Sequence, residues 1–211
     1  MMKDRWDILI GDIEREFRLD LHRKYKEMDE IFSEIMNYYS LGRHYHTIDH
    51  IIYMLDNVKD FKLTSKKKLK LEIAIWFHNI VYDSKRKDNE QRSANLANFF
   101  LKMVGVPKRH RKEVEQLILI TSHKEIPKNK LEKIICDLDL KAMSESWQLE
   151  NSFKIRKEYS HLSYDDWNKG RKEFLESMLL KKYIYNTSEY RDTLEAQART
   201  NLIKELNLLT Q

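Results

Sequence analysis

The sequence predicts an all-α protein, and three observations about residue usage and spacing support this class. Four Gly and two Pro among 211 residues leave little material for the tight turns that connect β-strands. Leu, Ile, Lys and Glu are abundant, and most of these residues favour helices. Apolar residues recur at helical spacing from the start of the chain, as at Trp6, Leu9 and Ile13. The length suits one ordinary domain with a sizeable core, so we expect a single domain over residues 1–211.

Local signals predict the order of the helices along the chain. A second apolar stripe runs from Met28 to Tyr39 and ends near Gly42. Thr47 is a suitable N-cap for the next helix, whose apolar stripe starts at Ile51. The most apolar helix is predicted over residues 66–82, with apolar side chains on most of its circumference, so we expect it to be central. Further helices are predicted over residues 88–104 and 108–123, into IICDLDL at 134–140, and over 143–161, 164–183 and 190–208.

Composition excludes several classes of protein. The apolar share is 41%, and no run approaches the roughly 18 apolar residues of a membrane span, so no membrane association is expected. The start of the chain mixes charges with apolar positions and has no small-residue cleavage site, so no signal peptide is expected. Cys136 is the single cysteine. It excludes an internal disulfide and fits a reducing compartment, so we predict a cytoplasmic location.

The charge of the chain favours a small anionic partner over nucleic acid. A net charge of +5 comes from 39 basic and 34 acidic side chains whose signs are interspersed. The basic clusters at residues 66–70 and 106–112 are typical of exposed helix ends, and nucleic acid is not an expected partner. A phosphate-bearing small molecule would be compatible with this balance. The oligomeric state is left open.

Four polar clusters interrupt the apolar pattern, and the densest is RHYHTIDH at residues 43–50. The others are His78 with Asn79, His123, and Asp137 with Asp139. On a helix, His46 and His50 would lie one turn apart on one face and could supply two ligands, or one ligand and one proton donor. A buried His78 needs a partner for each ring nitrogen, and either a metal ion or a core hydrogen bond meets that need. A buried aspartate is costly unless a cation or a hydrogen-bond donor compensates its charge, so Asp137 and Asp139 would need such a partner. Alternatively, the DLD segment is a helix cap.

The chain resembles the HD superfamily of metal-dependent phosphohydrolases, and more closely a bacterial branch known only as predicted hydrolases of that superfamily. The matching stretches lie in order over residues 38–206, nearly the whole chain. They are YYSLGRHYHTIDHI, AIWFHNIVYD, NEQRSA, ITSH, CDLDL, IRKEY, GRKEFL and EAQARTNLIKEL. The resemblance implies an HD-type helical bundle, with His50 as the first metal ligand, His78 as the second and Asp139 as the distal carboxylate.

The resemblance also implies roles for residues around these ligands. The spacing in YHTIDH is similar to that in cyclic-nucleotide phosphodiesterases, where the first His donates a proton to the leaving oxygen, which makes His46 a candidate general acid. Arg43 would neutralise phosphate charge. His123 would reach a second metal ion or hydrogen-bond a substrate phosphate. Glu90 and Asp137 would support the ligands from behind.

One departure from the family pattern concerns the doublet that names it, because this chain has His78-Asn79 where the family has His-Asp. The resemblance places Asn79 with His50, His78 and Asp139 as a metal ligand. Aspartate at this position can bridge two metal ions, whereas asparagine offers one neutral carbonyl oxygen, so metal affinity should fall. Asp83, predicted four residues along the same helix face, would substitute as a ligand or orient the segment FHN. A weaker mononuclear site, a degenerate protein that binds without hydrolysis, and an introduced inactivating change all stay open.

The function that this resemblance implies is metal-dependent hydrolysis of a nucleotide-like or other small phosphate ester or anhydride. The enzyme would be a phosphomonoesterase, a phosphodiesterase or a nucleotidase. Ligation by His and Asp suits Mn²⁺, Fe²⁺, Ni²⁺, Zn²⁺ or Mg²⁺ and does not choose among them. The alternative is a catalytically weakened or inactive relative that binds a nucleotide or a protein partner.

Overall fold

The computed structural model describes residues 2–209, and over these residues the chain forms ten α-helices and no strand. The predicted all-α class is confirmed. The helices are α1 Met2–Phe17, α2 Tyr25–Ser40, α3 Ile48–Asn57, α4 Ser65–Phe77, α5 Asn89–Met103, α6 Lys108–Leu119, α7 Lys130–Leu140, α8 Gln148–Glu158, α9 Tyr164–Leu180 and α10 Ser188–Leu208. None of the helices within residues 2–209 combines the length and the apolar character that crossing a membrane requires.

Helix packing divides the chain into two compact units, Met1–Ile126 and Pro127–Gln211. The first contains α1 to α6 and the second contains α7 to α10. A compact group of helices can still be part of a larger domain, so the single domain over residues 1–211 stays a prediction.

In the first unit, α4 packs against α1, α3, α5 and α6. The prediction of a central helix is therefore confirmed, although its predicted C-terminal boundary is not. The aromatic core beside α4 is built around Trp6, whose ring lies 5.5 Å from the rings of Trp76 and Phe100. The indole N–H of Trp6 donates to the carbonyl of Met28, so this large side chain is buried with its polar atom satisfied.

In the second unit, α10 packs against α8, α9 and the 3-10 turn Lys141–Ser144 that follows α7. A buried ion pair joins α9 to α10, because the guanidinium of Arg171 donates to both carboxylate oxygens of Glu205, at 2.7 and 3.1 Å. Gln148 and Ser152 of α8 donate to the same carboxylate. Each oxygen of this buried carboxylate therefore has donors, which is the condition for burying a charge without a large penalty.

Candidate metal centre

His50 enters the candidate site from the first turn of α3. Its side chain is buried, and its backbone N–H donates to the carbonyl of Thr47 over 3.2 Å. Thr47 is the N-cap residue, as predicted, and its backbone is extended, with ψ of 178°. His46 consequently lies before the helix, and the prediction that His46 and His50 share one helix face is wrong. The extended cap residue breaks the helical path between them.

The His46 ring nevertheless reaches the His50 ring, through aromatic contacts. It stacks on Tyr82 with ring centroids 3.9 Å apart, and the Tyr45 ring meets it in a T-shaped arrangement with centroids 5.0 Å apart. The centroids of His46 and His50 are 6.3 Å apart. Sequence reasoning missed both tyrosines. The only available signal was their position, one directly before His46 and one four residues after His78.

The C-terminal end of α4 presents His78 and Asn79, and it falls five residues earlier than predicted. The helix ends at Phe77, with His78 as its C-cap, whereas the apolar pattern predicts a helix to residue 82. Carbonyls at a helix end need donors from outside the helix. The hydroxyl of Tyr39 donates to the carbonyl of Trp76, and the ring of His78 donates to the carbonyl of Ile75. The guanidinium of Arg43 donates to the carbonyls of Asn79 and Ile80.

Arg43 connects the segment before α3 to the end of α4. Its guanidinium donates to the carbonyls of Asn79 at 2.6 Å, Ile80 at 2.7 Å and His46 at 3.2 Å. It also lies 5.1 Å from the ring centroid of Tyr39. Through these contacts Arg43 fixes the backbone at His46 and directly after His78. Its contact with a substrate phosphate stays a prediction.

Asp83 does not lie on the helix that carries His78, so its predicted place on the same helix face is wrong. It follows α4 in the connection to α5, where its carboxylate accepts the backbone N–H of Lys85. Its own backbone N–H and C=O both pair with the side chain of Asn89, at 3.1 and 2.9 Å. The polar end of the helix explains the difference, because the chain leaves the helical path at His78. Glu90 lies in the first turn of α5.

The ring of His78 is 1% exposed, and both of its nitrogens have close partners. Nδ1 lies 2.8 Å from the carbonyl oxygen of Ile75, and Nε2 lies 2.7 Å from the amide nitrogen Nδ2 of Asn79. A carbonyl oxygen only accepts hydrogen bonds, so Nδ1 carries the proton. In a neutral ring Nε2 then presents its lone pair, which is the usual arrangement of a metal-binding histidine.

The predicted ligands His50, His78 and Asp139 lie together. One ligand atom of each side chain can be chosen so that all three atoms lie within 4.8 Å of one another. The rings of His50 and His78 have centroids 5.4 Å apart. Atoms bound to one ion through bonds of about 2.1 Å are at most about 4.2 Å apart, so a shift of a few tenths of an ångström would suffice. Two imidazoles and one carboxylate are a donor set that divalent transition metals accept, so this cluster could hold a metal ion.

The structure places two other predicted site residues, Asp137 and His123, without showing a role for them at the cluster. Asp137, fully buried on α7, accepts hydrogen bonds from Asn186 and Thr187, directly before α10. Burial raises the pKa of its carboxyl group, and the hydrogen bonds that the oxygens accept act in the opposite direction. His123 is the C-cap of the 3-10 turn after α6 and adopts left-handed backbone geometry, with φ of 54°. Its contact with a second metal ion or a phosphate stays a prediction.

The chain was compared with protein-family models, with curated proteins and with solved structures, and none of these comparisons found a match. The resemblance to the HD superfamily therefore rests on the residues quoted above and stays a prediction. Over the described residues, the chain is an all-α protein in which His50, His78 and Asp139 form a candidate site for a metal ion.

Proposed function

We propose that the chain is a divalent-metal-dependent phosphohydrolase of the HD type, acting on a nucleotide-like or other small phosphate ester or anhydride. The observation that carries the proposal is the convergence of His50, His78 and Asp139, whose ligand atoms lie within 4.8 Å of one another. These residues come from α3, from the C-terminal cap of α4 and from α7, which are well separated in the sequence, at the positions that the family resemblance implies. A purely structural helical protein has no need to gather two buried imidazoles and a carboxylate.

The three side chains would hold the ion, which when bound lowers the pKa of a coordinated water and polarises phosphoryl oxygens. His50 and His78 are neutral donors and Asp139 carries one negative charge. The set leaves a net positive charge for a divalent ion, which suits an anionic substrate. Three protein ligands also leave open positions, as hydrolytic metal sites require.

His46 is the residue we assign to proton donation at the leaving oxygen of the substrate. Tyr82 stacks on its ring at 3.9 Å and Tyr45 lies edge-on at 5.0 Å, so the imidazole is held in one plane beside His50. A general acid must be positioned before it can act. Arg43 contributes to that positioning, since it holds the carbonyl of His46.

Metal analysis and a substrate screen together would test this proposal. Protein purified without chelators or a metal-affinity tag should contain a transition metal and should hydrolyse some member of a panel of phosphomonoesters, phosphodiesters and nucleotides. His46→Ala should keep the metal and lose at least about 100-fold in kcat. His22→Ala, at an exposed histidine, is the control and should retain full activity. Metal-loaded protein without activity on any phosphate ester would contradict the proposal.

A second candidate function is favoured by the contact between Asn79 and His78. The amide of Asn79 lies on the ring nitrogen that a metal ion would need. A protein that no longer holds metal could still bind a nucleotide or a protein partner without turnover. Saturable nucleotide binding by metal-free protein, with no hydrolysis after metal addition, would favour this candidate over the enzyme.

A further inference from the structure

The two hydrogen bonds of His78 determine which face of the Asn79 amide meets the ring. Nδ1 must donate to the carbonyl of Ile75, 2.8 Å away, so Nε2 of the neutral ring can only accept. An amide oxygen facing that lone pair would be repelled. The NH₂ group is therefore the part of Asn79 that lies 2.7 Å from Nε2. The orientation of the amide follows from the Ile75 contact.

We propose that Asn79 is a built-in competitor of the metal ion, because its side-chain N–H occupies the lone pair of His78 through which the ion would bind. This inference rests on the metal site in the proposed function. In it, His50, His78 and Asp139 hold the ion, and Asn79 sets how tightly they do so. The ion can bind His78 only after the amide has released Nε2.

The strength of the hydrogen bond between Asn79 and His78 determines how much the affinity for the metal ion falls. A net hydrogen bond changes an equilibrium constant by roughly 2-fold to 12-fold, and we take about 5-fold as the expected penalty on metal affinity. An aspartate at the same position would remove the competing donor and add a charge, so its gain should exceed that of alanine. The ion should therefore bind most tightly to Asn79→Asp, less tightly to Asn79→Ala and least tightly to the natural chain.

The backbone at this position does not depend on the amide. The carbonyl of Asn79 accepts from Arg43 at 2.6 Å, and this bond stays when the side chain is shortened. The side chain itself is half-buried, so a small replacement leaves no large cavity. Asn57 offers a matched control, since its half-buried amide donates to the carbonyl of Tyr53 near the end of α3.

The test is a calorimetric titration of metal-stripped protein with Mn²⁺ and with Zn²⁺, for the natural chain, Asn79→Ala, Asn79→Asp and Asn57→Ala. We expect Asn79→Ala to bind about 5-fold more tightly and Asn79→Asp more tightly still, with Asn57→Ala unchanged within about 2-fold. Equal or weaker binding by Asn79→Ala would overturn the inference, and weaker binding would identify Asn79 as a ligand through its oxygen. Long-range ¹H–¹⁵N spectra of the metal-free natural chain should show the proton of His78 on Nδ1.

The titration separates this inference from the proposed enzyme activity, because it uses no substrate. The expected order of affinities without hydrolysis of any phosphate ester would support the inference and count against the phosphohydrolase. Metal-dependent hydrolysis, together with an Asn79→Ala variant that binds metal no more tightly than the natural chain, would support the phosphohydrolase and overturn the inference. Absence of metal binding in all four proteins would overturn both.

Discussion

Asp137 and Asp139 are two residues apart on α7, and the structure surrounds them differently. Asp137 is 0% exposed. Its Oδ1 accepts from the backbone and side-chain nitrogens of Asn186 at 2.7 and 2.9 Å. Its Oδ2 accepts from the backbone nitrogen and hydroxyl of Thr187 at 2.7 and 2.6 Å. Asp139 is half-buried and contributes an oxygen to the cluster with His50 and His78.

The difference arises from helix geometry, because a step of two residues turns a side chain about 200° around the axis. One carboxylate faces the start of α10 and the other faces away from it. Both oxygens of Asp137 are engaged by donors, three of them N–H groups that can only donate, so this carboxylate has little capacity left for an ion. Asp137 thus stabilises the second unit, and Asp139 is the carboxylate that contributes an oxygen to the cluster with His50 and His78. A motif alone does not separate these roles.

The largest expected effect is that of Asp137→Ala on stability. Removing a fully buried carboxylate leaves two backbone N–H groups and two side-chain donors of residues 186–187 without their acceptor. We expect the free energy of unfolding to fall by about 4 kcal/mol, because each buried donor left without a partner costs about 1–3 kcal/mol and water can reach some of these donors. Urea denaturation of metal-free protein measures this. A loss below about 1 kcal/mol would remove the distinction between the two aspartates.

Asp139→Asn should have the opposite result, a large loss of metal affinity with little loss of stability. Without its one charged ligand the cluster should lose about 100-fold in metal affinity, equivalent to about 2.7 kcal/mol. The free energy of unfolding without metal should change by less than about 1 kcal/mol, because the half-buried side chain keeps its shape. Titration calorimetry and urea denaturation of the same preparation give both quantities. A stability loss like that of Asp137→Ala, with metal affinity unchanged, would show that the roles are assigned to the wrong residues.

Thr187→Val sharpens the comparison by deleting one of the donors to Asp137 while keeping the shape of the side chain. The hydroxyl donates over 2.6 Å and the residue is buried, so we expect a loss of about 1.5 kcal/mol. Metal affinity should stay within about 2-fold. Thr187→Ser, which keeps the hydroxyl, is the matched control for thermal and urea unfolding. A metal affinity that fell with stability would mean that the two carboxylates act as one unit.

Tyr39→Phe extends the comparison to the helix end that carries His78, with the smallest expected effect, about 1 kcal/mol. The buried hydroxyl donates to the carbonyl of Trp76 at 2.8 Å. Burial raises the pKa of Tyr39 above its usual value of 10.0. Its contribution to stability should therefore be constant well below about pH 10 and decline as the pH rises from there through the raised pKa, because the tyrosine of the unfolded chain ionises first. Unfolding of both proteins at about pH 7, 9 and 10.5 checks this, and a difference that grew with pH would contradict it.

Helix positions could be predicted from the sequence where the signal is local. Thr47 as an N-cap and the apolar stripe of α3 are close in sequence, and both predictions are confirmed. The end of α4 could not be predicted, because Arg43 and Tyr39, which take up its carbonyls, lie more than thirty residues earlier. The ending at Phe77 also removes Asp83 from the helix.

The candidate site could be predicted in part. The features that could not be predicted depend on partners far away in the sequence or on the rotation of a side chain. Residue type and family resemblance predict His50, His78 and Asp139 as ligands, and the structure brings their ligand atoms together. The partners of Asp137 lie about fifty residues downstream, so its place at the start of α10 has no signal in IICDLDL. The contact of Asn79 with His78 depends on a side-chain rotation that no pattern reports.

The most direct test of a metal ion at His50, His78 and Asp139 is anomalous diffraction from a crystal of the natural chain grown with Mn²⁺ or Zn²⁺. We expect one strong peak about 2.0–2.2 Å from a ring nitrogen of each histidine and from a carboxylate oxygen of Asp139. The amide of Asn79 should have moved off His78 in the same map. A fully occupied peak elsewhere, or none at these three residues at saturating metal, would contradict the account.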